Sequence, residues 1–305
     1  YSRIVYDMDK SFNYFNPKFG LNYDITSNHR VYASYAVAYK EPTRNNFENN
    51  INANLEMPRS ERLNDLEVGY KYHSKTFSAG ANFYWMKYKD QFVLTGEIDK
   101  IGEAITRNVP KSFRLGVEVE AAWKPVDWFR WDANATWSKN RVKDITVTLT
   151  DKTVANLGDQ TLAFSPDWIA NNIFTFKYQG FNASIQSQYV SKQYMTNTGF
   201  ESYQTLDDNG NPVDVSRMLD GHFTTNMDLS YNFQLPQLGL KDVTAGITFY
   251  NLFSAKYDNN GWAAPAYTMQ GGKVVATGYS ASDQYEAGFA PSAPFNFMAH
   301  LSINF

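Results

Sequence analysis

Apolar and polar side chains alternate along this chain with a period of two almost throughout. In the last eleven residues, Phe295, Phe297, Ala299, Leu301, Ile303 and Phe305 fall on one face, and Asn296, Met298, His300, Ser302 and Asn304 on the other. In 223–233, Phe223, Met227, Leu229, Tyr231 and Phe233 oppose Thr224, Asn226, Asp228, Ser230 and Asn232. In 113–123, Leu115, Val117, Val119, Ala121 and Trp123 oppose Arg114, Glu118 and Glu120. Segments 131–138 and 181–189 repeat the pattern, with Asp132, Asn134, Gln186 and Gln188 on their polar sides. Such alternation sends successive side chains to opposite faces of a strand, whereas helical periodicity is almost absent. The pattern predicts an all-β chain with strands at 1–7, 14–23, 29–40, 61–73, 77–94, 112–123, 129–140, 168–178, 180–193, 222–233, 242–253 and 295–305.

Strands of a soluble sandwich average about 5–6 residues. These run to about ten or more, the length a tilted strand needs to cross a bilayer. The connections alternate in length. The short ones are 24–29, 73–76, 124–128, 179–180 and 234–241; the long ones are 40–60, 94–111, 140–166, 194–221 and 258–294. Short turns at one end and long loops at the other describe a transmembrane antiparallel β-barrel, and Tyr, Trp and Phe near the strand ends suit its interfacial girdles.

Composition changes this picture little. Aromatic residues make up 16% of the 305 residues. The mean hydropathy of −0.49 would suggest a soluble protein, but a barrel shows lipid only every second residue. The absence of cysteine excludes disulfides and thiolate metal sites. Four scattered histidines argue against a multi-histidine metal centre, and a net charge of −3 leaves no electrostatic footprint for nucleic acid. No run is long and apolar enough for a membrane helix. Residues 1–6 already alternate and no initiator Met or signal peptide precedes them, so the chain is expected to begin inside a longer structure.

Candidate chemistry is sparse. Asp207-Asp208-Asn209-Gly210-Asn211 resembles the start of a calcium loop, but its glycine comes too early, and Asn209-Gly210 reads better as a tight turn. His222 near Met195 and Met218 offers imidazole and soft sulfur, which suits copper or haem iron; methionines in a loop are more often apolar filler. Glu118 and Glu120 share a face with Arg114, an arrangement simpler as ion pairing than as acid–base chemistry. No Ser-His-acid triad emerges, and no catalytic residue, cofactor or metal ligand is assigned. The long loops are rich in rings and bases: Arg44, Phe47, Arg59, Arg107, Lys111, Phe200, Tyr203, Arg217, Trp262, Tyr267, Tyr279 and Tyr285. Rings with guanidinium groups suit a bulky, partly anionic chelate.

Several segments carry a family resemblance. They are Asn16-Pro17-Lys18-Phe19-Gly20-Leu21-Asn22-Tyr23, Val31-Tyr32-Ala33-Ser34-Tyr35 and Glu41-Pro42-Thr43-Arg44. Further along come 88–96, 113–118, Phe164-Ser165-Pro166, 189–194 and Asn251-Leu252-Phe253-Ser254-Ala255-Lys256-Tyr257. Together they resemble the barrel of TonB-dependent outer-membrane transporters, with wording closest to members from Bacteroides-like bacteria. The resemblance implies a barrel of about 22 strands with a plug domain, and makes residues 1–305 its C-terminal part, with the plug and first strands not covered. It places the short turns at the periplasm and the long loops outside, in the outer membrane. The lumen would be lined by Arg114, Glu118, Glu120, Asp132, Asn134, Gln186, Gln188, Asn226, Asp228 and His300. Phe305 would be the assembly signal read by the barrel-insertion machinery.

The resemblance also implies active uptake of a scarce, large nutrient, first a ferric siderophore or other iron chelate. Haem, cobalamin, a copper chelate, an oligosaccharide or a peptide stay open. Implied partners are TonB with its inner-membrane energising complex, the barrel-assembly machinery, lipid and lipopolysaccharide, the extracellular chelate and a surface lipoprotein. The candidate ligand contacts are Arg44, Arg107, Tyr203, Arg217, Trp262 and Tyr267. The rivals are a passive porin-like channel, an outer-membrane lipase or protease, and a soluble β-sandwich lectin.

Overall fold

The structure is a computed structural model that describes residues 8–52, 56–98, 104–278 and 287–304. The expected strand 1–7, Tyr279, Tyr285 and Phe305 lie outside the described residues. In chain order the elements begin β1 (Lys18–Asp24), β2 (His29–Lys40), α1 (Arg44–Asn52), β3 (Glu61–His73), β4 (Phe77–Ile98), β5 (Ala104–Val126) and β6 (Phe129–Thr148). Next come β7 (Val154–Thr161), β8 (Trp168–Tyr178), β9 (Phe181–Val190), β10 (Gln193–Tyr194), β11 (Ser202–Leu206), β12 (Pro212–Ser216) and β13 (Met218–Leu219). The rest are β14 (His222–Leu235), β15 (Leu240–Tyr250), β16 (Asp258–Ala263), β17 (Ala266–Gln270), β18 (Lys273–Thr277), β19 (Ala287–Pro291) and β20 (Asn296–Asn304).

One antiparallel sheet forms the wall, in the order β1-β2-β3-β4-β5-β6-β8-β9-β14-β15-β20, with β7 added beside β6. Its register settles which side chains share a face. The residues Asp24, Arg30, Lys71, Gly80, Glu120, Asn134, Asn171, Gln188 and Thr224 lie opposite one another in succession across the sheet. One residue away runs a second row: Tyr23, Val31, Tyr70, Ala81, Val119, Ala135, Ala170, Tyr189 and Phe223. The first row is polar or glycine, and the second contains no polar side chain beyond tyrosine hydroxyls. Phe223 is 54% exposed and Val119 46%. A row of apolar side chains left open across the whole width of the sheet suits a lipid environment.

On the polar face, tyrosines lie across glycines of the neighbouring strand. A Cβ on Gly69 would overlap the Tyr32 ring, and one on Gly116 the Tyr84 ring. The missing side chains make room for rings that cover the exposed backbone. Rings gather on the other face near the short turns, where Trp128 stacks with Phe176 and Phe129 with Phe174.

Three expectations need correction. The span 94–111 is largely paired strand, since Gln91 to Leu94 face Val109 to Thr106 beyond a kink at Asp90, whose φ is 55°. Likewise 140–166 is not an open loop: β6 continues to Thr148 and folds back as β7. Glycines and charges in these stretches resemble loop composition, but pairing above the membrane satisfies their backbone groups. Finally, the loop after β2 contains the helix α1. Its Thr43 and Asn46 cap each other: Asn46 N–H donates to Thr43 Oγ1 at 3.3 Å, and Thr43 N–H to Asn46 Oδ1 at 2.9 Å. The helix is rich in asparagine, so no apolar stripe announced it.

Candidate functional site

The long connections lie at one end of the sheet, and four of them, 94–111, 140–166, 194–221 and 258–294, pack into a common platform. Met195, Tyr203, Leu219, Ala263 and Ala276 form its core, with Phe164, Phe200, Tyr267 and Ala287 against it. A small sheet, β12-β11-β18-β17, joins the loop after β9 to the loop after β15. Asn197 ties in two further connections. Its Nδ2 donates to the Leu94 carbonyl at 2.6 Å, and its Oδ1 accepts from Ala163 N–H at 2.8 Å. Thr150 N–H donates to the Tyr267 carbonyl at 2.9 Å.

The six expected ligand contacts divide between two places. Arg44 opens α1, pairs with Glu48 at 2.7 Å and leaves its side chain 88% exposed. It borders a concavity of about 410 Å³ with Lys10, Phe12 and Phe47. Arg107 lies in β5 opposite Val93, a strand residue rather than a loop residue. Asn46 Nδ2 donates to Thr106 Oγ1 at 2.8 Å, which holds α1 to β5 beside it. The other four belong to the platform. Trp262 is 40% exposed and lies across Gly288, where a Cβ would overlap the indole. Arg217 is half-buried; its backbone N–H donates to the Glu201 carbonyl at 2.9 Å. Tyr203, 1% exposed, is a core residue, not an open ring. Burial raises its hydroxyl's pKa, and that of the half-buried Tyr267 is pushed up to about 12.

Register puts Arg114, Glu118, Glu120, Asp132, Gln186, Asp228 and His300 on the polar face. Their partners differ from expectation. Arg114 Nη1 donates to Ser165 Oγ at 3.3 Å, Glu118 accepts from Asn82, and Glu120 faces Lys71 Nζ at 3.9 Å. Asp132 takes a two-pronged contact from Arg130 at 2.7 and 2.6 Å, and Asp228 accepts from Thr248 Oγ1 at 2.7 Å. His300 is on the outermost strand, its ring against Gly246. Near the short turns this face forms a concavity of about 490 Å³ bordered by the pairs Asp24–Arg30, Lys71–Glu120 and Arg130–Asp132. Opposite charges alternate there in an open, watery setting that screens each pair.

The metal readings find no support. Asp207 to Asn211 form the turn between β11 and β12: Asp207 Oδ1 accepts from Asn209 and Asn211 N–H, and Gly210 has a φ of 81°. The His222 ring stacks on Tyr257 at 3.9 Å, while Met195 and Met218 are buried as packing. Among the described residues, no three His, Asp or Glu side chains converge as a metal site. Sequence reasoning missed Asn197, because an asparagine in a loop carries no periodic signal. It also missed the role of Asn251, the residue just after β15. Its side chain donates to the Ala255 carbonyl at 2.8 Å and the Ala293 carbonyl at 3.1 Å, closing the loop's two ends.

Residues 1–252 match the family model described as TonB dependent receptor-like, beta-barrel. A search of curated proteins returned no match. Among solved structures, the chain resembles the ferric-catecholate import receptor Fiu from Escherichia coli K12, with a TM-score of 0.59 and 15% identity, over 94% of this chain and 34% of that one. For the ferric enterobactin receptor PfeA of Pseudomonas aeruginosa the TM-score is 0.61 and the identity 14%, over 94% and 39%. For the copper transporter OprC they are 0.62 and 15%, over 94% and 39%. At such identities the likeness speaks for the fold alone, and the chain spans little more than a third of each of these proteins. The long match to the family model and the two-faced wall agree. The chain belongs to the TonB-dependent receptor β-barrel family, so it is part of a receptor barrel of the bacterial outer membrane and not an enzyme.

Proposed function

We propose that residues 1–305 form the C-terminal part of the barrel of an active transporter, and that its ligand is a ferric siderophore or another iron chelate. The carrying observation is the platform: four long connections pack together, while the Trp262 ring and the Arg44 guanidinium stay open to solvent. A ring and a forked cation are suited to a large anionic chelate. The neighbours whose names mention ferric catecholate and ferric enterobactin support iron first; the copper transporter keeps a copper chelate as the second reading.

In this reading a plug, not covered here, fills the lumen against Glu118, Glu120, Asp132, Gln186, Asp228 and His300. TonB and its inner-membrane complex act through that plug, and the assembly machinery reads Phe305. The segments quoted above favour a Bacteroides-like relative. Arg44, Arg217 and Trp262 contact the ligand, Arg107 flanks it, and Tyr203 and Tyr267 hold the platform that presents Arg217 and Trp262.

The test is a titration of the full-length protein with a ferric tri-catecholate, read by fluorescence quenching. Arg44→Ala and Trp262→Ala should each weaken binding by about ten- to hundredfold. Tyr203→Phe, which keeps the packing, should leave affinity unchanged. Saturable binding of a copper chelate, haem or cobalamin, with none of ferric catecholate, would overturn the iron reading. Steady conductance in planar bilayers without added ligand would favour a passive channel.

A further inference from the structure

Two asparagine–glycine pairs occur in the chain, Asn209-Gly210 and Asn260-Gly261, and both lie in the platform. Such a pair carries its own chemistry. The glycine nitrogen can attack the side-chain carbonyl carbon of the asparagine, and no Cβ on the glycine shields that approach. In a folded chain the reaction depends on whether the two atoms are held together.

The two pairs are held differently. Gly210 N–H donates to the Asp207 carbonyl at 2.9 Å, so the nitrogen that would attack is already engaged in the turn. Gly261 N–H instead donates to Asn260 Oδ1 at 2.8 Å, on the side chain of the residue before it. The carbonyl carbon, one bond beyond that oxygen, therefore stands beside the attacking nitrogen, and the same hydrogen bond polarises the carbonyl. Asn260 is exposed, so water reaches it. It also follows a bulge. Asp258 faces Pro291 and Asn260 faces Ala290, which makes Asn259 the extra residue of the ladder. A bulge disrupts the pairing where ring closure must bend the chain. Packing requires the glycine: a Cβ on Gly261 would meet Met195 Sδ at 2.6 Å and the Gly288 carbonyl oxygen at 2.8 Å. The next residue is Trp262, whose ring lies across Gly288.

We propose that Asn260 is a site of spontaneous deamidation, and that its conversion alters the face presented by Trp262. The Gly261 nitrogen gives its proton to hydroxide and bonds to Asn260 Cγ. The Cγ–Nδ2 bond breaks, and Nδ2 leaves as ammonia with a proton from water, which gives a succinimide. Water then opens the ring at either carbonyl, to aspartate or to isoaspartate. No oxidant or cofactor takes part. Both products carry a negative charge where the amide was neutral. Isoaspartate also routes the backbone through the side-chain carbons, and the added methylene shifts Trp262 relative to Gly288. A carboxylate beside the ring repels an anionic chelate. That last consequence rests on the function proposed above; the deamidation does not.

The test incubates the full-length protein at neutral and at mildly alkaline pH, folded in detergent and unfolded in urea. Peptide masses read conversion of amide to acid, and enzymatic methylation reads isoaspartate. In urea only the local sequence acts, so the two pairs should convert at similar rates. In the folded protein Asn260 should lead Asn209 by about five- to tenfold, the factor that one net hydrogen bond on the attacking nitrogen is worth. The rate at Asn260 should rise in proportion to hydroxide. Asn260→Gln, which must close a larger ring, should keep its mass. Equal rates in the folded protein, or Asn209 ahead of Asn260, overturn the site. Asn260→Asp carries the charge of the product without the added methylene. It should bind a ferric tri-catecholate about two- to fivefold more weakly than the unmodified protein, the effect of one exposed charge. Unchanged affinity in both the aged protein and Asn260→Asp overturns the effect on the Trp262 face. The masses decide the deamidation whether or not the unmodified protein binds ferric tri-catecholate, so a failure of the iron reading is told apart from a failure of this one.

Discussion

Asn197 Nδ2 donates a 2.6 Å hydrogen bond to the carbonyl of Leu94, across 103 residues of chain. The same side chain accepts from Ala163 N–H, and it is 6% exposed. One asparagine therefore satisfies backbone groups from two other connections at the base of the platform. Asn197→Ala should leave both groups unpartnered, at a cost of about 1–3 kcal/mol each. Amide exchange in 203–219 should quicken while exchange in the wall strands stays slow. Unchanged protection in 203–219 would show that the core of Tyr203 and Leu219 suffices.

The two faces of β14 predict opposite responses to charge. Leu229 faces Ala183 and Ile247, whereas Ser230 faces Asn182 and Gly246. Leu229→Arg should destabilise by about 2–4 kcal/mol near the midplane, and Ser230→Arg should cost much less. Unfolding in liposomes measures both, and equal losses would reverse the face assignment.

Alkali should loosen the platform. Burial pushes Tyr267 up to about 12, above the ordinary value of 10.0, because the phenolate is disfavoured in the packed core. A folded-state value above the unfolded one gives a contribution complete below pH 10 and lost as the pH rises through 12. Proteolysis of the loops should therefore accelerate across that window, and Tyr267→Phe should flatten the dependence on that residue. An identical pH profile for the variant would assign the change to another group.

Removal of Phe305 tests the assembly role expected from the resemblance. Surface levels of the full-length protein should fall, while a Lys241→Gln control at the same end should assemble normally. Normal surface levels without Phe305 would end that reading.

Much of the wall was legible because alternation is local. Residues two apart share a face wherever a strand forms, so the polar face through Glu118, Asp132 and Asp228 could be read from neighbours in sequence. The bounds of β2, β3 and β8 agreed with expectation for the same reason. The helix α1 was hidden because its stabilising contacts are a capping pair and a bond to Thr106, neither of which leaves a periodic trace.

The loop residues show where local information stops. Tyr203 and Trp262 are both rings in long loops, and nothing adjacent distinguishes them. One is buried because Met195, Leu219, Ala263 and Ala276 meet around it; the other lies across Gly288 and stays 40% exposed. Charge neighbours across strands have the same origin, as where register sets Arg62 opposite Lys89, Lys89 opposite Lys111 and Phe113 opposite Arg141. Arg62, Lys89, Lys111 and Arg141 are far apart in the chain, and each is ordinary near a strand end. Strand order and register bring them together, and those depend on which strands pair and where the kink at Asp90 falls. The sequence by itself determined the two faces, the alternation of turns and loops, and the family. Tertiary pairing decided which rings are exposed and which charges become neighbours, because burial and electrostatic proximity belong to pairs of residues that only the folded sheet makes adjacent.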